Sequence, residues 1–173
     1  DYSKRTGKDF LGGEYAVLLG EEAIVTAINR RAFADYTIQS EKDSSIIVES
    51  VMKQTASFFR DKGVDIPYTA WVSVKSEKFR LGKLKIGLGS SAAVAVCAAG
   101  AIFEANGFSI KKNLNDILSV AKEAHSNAQQ GKGSGADVAV STMGGTISYR
   151  LNETPKPVLL GDIKIAVVFS GRS

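Results

Sequence analysis

The sequence contains few of the residues on which several classes of protein depend. Its 173 residues include one cysteine, one histidine and three prolines. A single cysteine, Cys97, excludes an intrachain disulfide and a cysteine-based zinc knuckle. No apolar run approaches the length of about eighteen residues that a membrane-spanning helix needs, and the polar opening DYSKRTGKD does not resemble a signal peptide. We therefore expect a cytoplasmic protein with no membrane partner.

Charges of one sign are only slightly in excess. Twenty-two lysines and arginines against eighteen aspartates and glutamates leave a net charge of +4. This excess, without a clustered basic run, permits anionic small-molecule ligands and does not require a nucleic-acid partner. With 44% hydrophobic and 23% charged residues, the chain has the composition of one globular domain with a sizeable core.

Hydrophobic patterning predicts strands on both sides of a central group of helices. The predicted strands are 10–20, 22–28, 31–39, 68–76, 138–142, 146–150 and 163–169, with turns at 20–22 and 29–31. The predicted helices run from Ser44 or Ser45 to Gly63, from a glycine-serine loop to about 106–107, and over about 113–128. Strands that are grouped apart from the helices favour an α+β fold, a sheet with helices on one face.

The stretch KIGLGSSAAVAVCAAGAIF (85–103) joins two glycines and two serines to a helix of small residues. A helix N-terminus offers unpaired N–H groups and partial positive charge to an anion, and glycine lets the anion approach the backbone. Ser90 and Ser91 add hydroxyls that can cap the helix, bind a phosphate or ligate Mg²⁺. No lysine follows the serines, so this is not the GxxxxGK[ST] loop. An N-capped core helix without a ligand is the alternative.

Three motifs, in order along the chain, resemble those of the GHMP kinases, a family that includes galactokinase, homoserine kinase, mevalonate kinase and phosphomevalonate kinase. GLGSSAA (87–93) is similar to the family's second motif, and TGKDFLGGEYAVL (6–18) to its opening motif. GKGSGADVAVSTMGGTISYR (131–150) resembles the segment that carries the catalytic aspartate. The details GEYAVL, SEKF and GSGADVA are most similar to phosphomevalonate kinases.

The resemblance implies an α+β fold like that of a domain of ribosomal and translation proteins, with a mixed sheet and a left-handed βαβ crossover. It identifies residues 1–173 as the N-terminal, ATP-binding domain. The family's third motif, in a C-terminal domain, is absent from the chain, so we expect a truncated chain that lacks activity alone.

The implied activity is ATP-dependent phosphoryl transfer to 5-phosphomevalonate, which gives 5-diphosphomevalonate in isoprenoid synthesis, with ATP and Mg²⁺ as cofactors. Mevalonate kinase and diphosphomevalonate decarboxylase are the alternatives within the family. A non-catalytic fragment that binds a nucleotide or RNA is the alternative of another class, although the small charge excess argues against RNA. A homodimer is compatible with the sequence.

The resemblance also assigns site residues. The nucleotide phosphates are expected on the loop residues Gly87, Leu88, Gly89, Ser90, Ser91 and Ala92, with Ser91 also a ligand of Mg²⁺. Lys8 and Asp137 are the expected catalytic pair: Lys8 bridges the donor and acceptor phosphates, and Asp137 orients Lys8 and the acceptor or helps to hold the metal. The expected substrate-binding residues are Glu14, Ser134 and Gly135. Without the resemblance, Lys8 is simply a solvated lysine and Asp137 a capping residue.

Some positions depart from the family pattern. Thr6 replaces the usual proline, and Asp9 occupies a normally apolar position in the first strand. The metal-binding glutamate that mevalonate kinases have eleven residues before the catalytic aspartate corresponds here to Ser126. His125 lies on the apolar stripe of its helix, so we expect a packed, hydrogen-bonded histidine and no catalytic base.

Overall fold

The structure, a computed structural model, describes residues 4–37, 45–66 and 71–168. The strands are β1 (Lys4–Gly12), β2 (Ala23–Thr37), β3 (Trp71–Lys75), β4 (Arg80–Leu81), β5 (Leu84–Lys85), β6 (Thr146–Tyr149) and β7 (Lys156–Pro157). The helices are α1 (Ile46–Asp61), α2 (Ser90–Ala105), α3 (Leu114–Ala128) and α4 (Ala136–Met143), with 3₁₀ turns at Ala16–Leu19, Glu77–Phe79 and Ile110–Asn113. The described helices include none that combines the length and apolar character needed to cross a membrane.

The main sheet is organised around β2, which pairs with β1 along one edge and with β3 and β6 along the other. Strand β7 extends the sheet beyond β6. Every pair that the described residues form is antiparallel, so within these ranges the sheet lacks the parallel pair of the mixed sheet that we expected. The predicted left-handed crossover stays a prediction. The α+β fold itself, helices packed on a sheet, is confirmed.

The turn predicted at 29–31 is wrong, because β2 runs through it as one fifteen-residue strand. Thr6 pairs with Arg31, but the next residue, Gly7, pairs with Ile28. Asn29 and Arg30 are therefore extra residues in a bulge, and both are exposed. The polar run that suggests a turn marks a bulge in β2 opposite the edge strand β1.

Three other predicted strands also need correction. The segment 10–20 contains the end of β1 and then a 3₁₀ turn, since the chain turns at Gly13, whose φ is 78°. Residues 138–142 belong to α4, because a short apolar run does not distinguish a strand from a buried helix. Residues 163–168 form no strand and are exposed. The predicted parts at 38–39, 68–70 and 169 lie outside the described residues.

The three predicted helices are confirmed as α1, α2 and α3, and α2 lies at the centre of the domain. It contacts β1, β2 and β3 on one side and the other three helices elsewhere. Its alanines and glycine let these neighbours approach closely, and its residues from 95 to 103 are all buried. At its far end, rings of Phe59, Phe103 and Phe108 pack with centroids 4.7–6.2 Å apart. This packing fixes where the α2 N-terminus lies.

Candidate active site

The glycine-serine loop has the conformation that its glycines predict. Gly87 and Gly89 both have a φ of 72°, and Gly89 is the N-cap residue of α2. No side chain caps the helix, so neither serine has the capping role considered from the sequence. The first turn of α2, which begins with Ser90 and Ser91, therefore presents backbone N–H groups and the positive end of the helix dipole.

Lys8 lies directly against this loop. Its backbone N–H donates to the Leu88 carbonyl over 3.0 Å. A Cβ on Gly89 would lie 2.7 Å from Cγ and 3.5 Å from Cε of Lys8, so the lysine stem crosses the bare face of that glycine. The Lys8 ammonium lies 4.5 Å from the centroid of the Phe10 ring. The predicted catalytic lysine and the predicted phosphate loop are thus adjacent.

Gly7 explains how β1 can approach the loop so closely. It is buried, and a Cβ there would collide with the Leu88 carbonyl oxygen and with the ring of Phe79. No role for Gly7 was predicted from the sequence, although its place beside Lys8 in the opening motif was a usable signal. Glycine is required here by close approach, since its φ is not positive.

Asp137 lies in the first turn of α4, whose N-cap residue, Gly135, has a φ of 79°. Its Oδ1 accepts a 2.9 Å hydrogen bond from the Val138 N–H. Helix α4 is held against β1 by Ser141, whose hydroxyl donates 2.8 Å to the Thr6 carbonyl. The ion pairs that the described residues form include neither Asp137 nor Lys8, so both charges are available to a ligand.

Two cavities are lined by candidate site residues. The Asp137 cavity, of about 210 Å³, is lined by Phe10, Glu14, Tyr15, Leu18, His125, Gln129, Gly133, Ser134 and Asp137. The Ser90 cavity, of about 180 Å³, is lined by Ser45, Ile47, Ser76, Phe79, Arg80, Lys85, Ser90, Ser91 and Val94. The first contains three of the predicted site residues, and the second contains the two serines beside two cationic side chains.

The substrate-binding candidates do not all face the Asp137 cavity. Glu14 and Ser134 line it, but Gly135 is covered from outside, because a Cβ there would lie 2.8 Å from Cε of Lys122. Ser134 is fixed by Tyr149, whose buried hydroxyl donates 2.7 Å to the Ser134 carbonyl. No role for Lys122 or Tyr149 was predicted from the sequence. Their positions follow from how α3 and β6 pack around the glycine turn.

A hydrogen bond between Ser91 and His125 joins the two cavities. Ser91 Oγ lies 3.0 Å from Nε2 of His125, and Nε2 of Gln129 lies 3.2 Å from the same ring nitrogen. His125 is only 4% exposed. Burial lowers the pKa of His125, and the Asp137 carboxylate partly opposes this shift. The packed, hydrogen-bonded histidine that we predicted is confirmed, but its partners were not foreseen.

The donor set at the α2 N-terminus fits magnesium bound together with phosphates. The described residues contain no cluster of three or more His, Cys, Asp and Glu side chains that could hold a metal ion by itself. Mg²⁺ commonly keeps several waters and takes one or two protein oxygens plus phosphate oxygens. The hydroxyl of Ser91 and the carboxylate of Asp137 are ligands of this kind, and their role stays a prediction.

The sequence model described as GHMP kinases N terminal domain matches residues 47–145, more than half of the chain. The chain belongs to the GHMP kinase family. Residues 47–145 contain the glycine-serine loop, the helices α2, α3 and α4, and Asp137. The match therefore covers most of the site described above. The match covers the motif at 87–93 and residues 131–145 of the motif at 131–150, while Lys8 lies before the matched region.

Individual GHMP kinases give the same assignment. The chain is 27% identical to a phosphomevalonate kinase of Saccharolobus solfataricus, over 96% of this chain and 56% of that protein. It is 30% identical to a mevalonate kinase of Aeropyrum pernix, over 90% of this chain and 52% of that protein. The chain spans about half the length of these curated relatives.

A solved phosphomevalonate kinase of Streptococcus pneumoniae, in complex with phosphomevalonate and AMPPNP, has the same fold. It superposes with a TM-score of 0.73 at 21% identity, over 87% of this chain and 50% of that one. This similarity supports the α+β fold of the GHMP kinase N-terminal domain.

Proposed function

We propose that this chain is the N-terminal part of an ATP-dependent kinase that phosphorylates an intermediate of the mevalonate pathway, with 5-phosphomevalonate as the acceptor. Relatives named phosphomevalonate kinase and mevalonate kinase support the reaction class. The presence of Ser126 where mevalonate kinases have a metal-binding glutamate favours the phosphorylated acceptor. Mevalonate and diphosphomevalonate are the alternative acceptors.

The donor nucleotide is proposed to lie at the α2 N-terminus and in the Ser90 cavity. There the backbone N–H groups of the first turn would hold the terminal phosphates, and Ser91 would ligate Mg²⁺. Arg80 and Lys85, both exposed at the rim of this cavity, add positive charge on the side where a polyphosphate would enter. When bound, Mg²⁺ neutralises charge that develops on the phosphate oxygens during transfer.

The acceptor is proposed to occupy the Asp137 cavity. A phosphomonoester with a second pKa of about 6 is mostly a dianion at neutral pH, so its attack requires little proton removal. The chemical need is to hold two anions in line, and that is a matter of positioning and charge. Lys8, at the edge between loop and cavity, would bridge the two anions, and Asp137 would orient Lys8 and the acceptor.

The observation that carries this proposal is the contact between Lys8 and the phosphate loop. The 3.0 Å bond from Lys8 N–H to the Leu88 carbonyl and the packing of the lysine stem on Gly89 put an ammonium beside the helix tip. Phe10, which lies under that ammonium, also lines the cavity that contains Asp137. Phe10 thus contacts the Lys8 ammonium and lines the same cavity as the carboxylate, which supports a site that combines the loop, Lys8 and Asp137.

A coupled assay of ADP release by the intact protein tests the proposal. Phosphomevalonate, mevalonate and diphosphomevalonate are offered separately, each with MgATP. We expect the highest kcat/KM with phosphomevalonate. A preference for mevalonate or diphosphomevalonate would show that the proposed acceptor is wrong, while ATP-dependent activity in the mevalonate pathway would stand. No ADP release with any of the three would overturn the proposal.

A further inference from the structure

Two polar side chains approach one ring nitrogen of His125. Ser91, in the first turn of α2, and Gln129, just after α3, both place a polar atom within 3.2 Å of His125 Nε2. The nitrogen can accept through one lone pair or donate one hydrogen, according to the tautomer. Which of these it does decides the direction of the Ser91 hydroxyl.

The contact from Gln129 determines the direction. Its amide Nε2 carries two hydrogens and no lone pair available to accept, so at 3.2 Å it can only donate to the ring nitrogen. His125 Nε2 is then an unprotonated acceptor, and the proton of the neutral ring is on Nδ1. The Ser91 hydroxyl, 3.0 Å from the same unprotonated nitrogen, then directs its hydrogen at that nitrogen as well.

This direction matters for a cation at Ser91. A hydroxyl that donates its hydrogen to His125 keeps both oxygen lone pairs free. Ser91 lines the Ser90 cavity, while His125 lines the cavity on the other side of the bond. The free lone pairs are therefore available on the side where the proposed function puts the metal and the nucleotide phosphates.

We propose that His125 is a positioning residue for magnesium: its Nε2 accepts the Ser91 hydroxyl hydrogen and so directs the oxygen of Ser91 toward the cation. The inference rests on the proposed function. Burial supports it, because the ring is only 4% exposed and its orientation relative to Ser91 is therefore fixed by packing. His125 directly precedes Ser126, the position at which mevalonate kinases have their metal-binding glutamate. In this chain His125 would act on the metal through Ser91.

The ring protonation of His125 can be observed directly. In a long-range ¹H–¹⁵N spectrum of the uniformly labelled intact protein at about pH 7.5, the ring nitrogens of His125 are the pair of resonances that is missing from the spectrum of His125→Gln. We expect an unprotonated Nε2 and a protonated Nδ1, with the Nε2 resonance shifting when Mg²⁺ and AMPPNP are added together. A protonated Nε2 would overturn the proposal.

Magnesium-dependent nucleotide binding gives an independent readout. The affinity for AMPPNP is measured by calorimetry with Mg²⁺ and with EDTA, and the ratio of the two affinities is compared between variants. We expect this ratio to be about tenfold lower for His125→Leu than for wild type, as for other residues that orient metal ligands. His125→Gln, which keeps an acceptor near the Nε2 position, should retain the ratio to within about threefold of wild type. Asn127→Leu, an exposed position two residues along α3, is the matched control.

A double variant separates positioning from a general loss of structure. Removal of Ser91 eliminates the group on which His125 is proposed to act, so His125→Leu should lower the ratio no further in a Ser91→Ala background. An unchanged ratio in His125→Leu, or additive losses in the double variant, would overturn the inference but not the proposed kinase. If the wild-type protein binds no AMPPNP in either condition, the proposed function fails and the inference fails with it.

Discussion

The Lys8 backbone N–H donates to the Leu88 carbonyl over 3.0 Å, which ties the strand of the predicted catalytic lysine to the predicted phosphate loop. The tie depends on glycine at two points, Gly7 on the strand and Gly89 on the loop, where a side chain would occupy the space between them. Each glycine has a counterpart nearby that lacks this contact, and these pairs give matched tests.

Gly89→Ala should damage the site more than Gly87→Ala does. Both glycines have a φ of 72°, so alanine at either position costs about 1–2 kcal/mol of stability through backbone strain. Only the Cβ at Gly89 meets Lys8, at 2.7 Å from Cγ, whereas nothing lies within 4 Å of a Cβ at Gly87. We expect similar losses of stability in urea unfolding, but a kcat about tenfold lower for Gly89→Ala than for Gly87→Ala. Equal kcat values would show that displacement of Lys8 has no consequence.

Gly7→Ala should destabilise the fold, and Gly12→Ala should not. At Gly7 an added Cβ collides with Leu88 and Phe79, and such overpacking costs about 1–3 kcal/mol. Gly12 ends the same strand, is exposed, and has nothing within 4 Å of its Cβ position. Urea unfolding of the two variants measures the difference. A Gly7→Ala variant as stable as Gly12→Ala would mean that β1 does not pack on the loop as described.

Cys97 predicts a loss of stability in alkali. Burial raises the pKa of the Cys97 thiol to about 12, so the folded protein keeps the proton that the unfolded chain releases above about pH 8.5. Because the folded-state pKa is the higher one, this contribution is complete below pH 8.5 and declines as the pH rises towards 12. Between pH 8 and pH 10 the wild type should lose about 2 kcal/mol more than Cys97→Ala. Parallel pH profiles of unfolding free energy for the two proteins would contradict the predicted burial of a neutral thiol.

Local signals in the sequence were enough for the parts of the fold that depend on neighbouring residues. Gly87 and Gly89 have the positive φ that their positions before a small-residue helix suggested, and α2 begins at Ser90. The bulge in β2 was missed because it is a property of the pairing with β1, which local patterning does not report. Residues 138–142 were assigned to a strand because a short apolar run is compatible with either a strand or a buried helix.

The same distinction between local signals and contacts of distant elements applies to the candidate site. That Lys8 lies against the glycine-serine loop was expected from the resemblance to GHMP kinases and not from any spacing in the chain. The hydrogen bond between Ser91 and His125 depends on how α2 packs against α3. Because this packing joins residues 34 positions apart, no short sequence motif predicts the bond. Fixed contacts between elements, such as the one from Tyr149 to Ser134, can be read only from the structure.

The central claim, that Lys8 acts on the transferred phosphoryl group from its place on Gly89, is tested most directly by the kcat of Lys8→Met. Lys4→Met is the matched control, because Lys4 lies on the same strand with its ammonium 5.6 Å from a phenylalanine ring, while Lys8 is 4.5 Å from one. In the ADP-release assay with phosphomevalonate, Lys8→Met should lose about a hundredfold to a thousandfold in kcat, while Lys4→Met stays within about threefold of wild type. A Lys8→Met protein that turns over as fast as Lys4→Met would contradict the account.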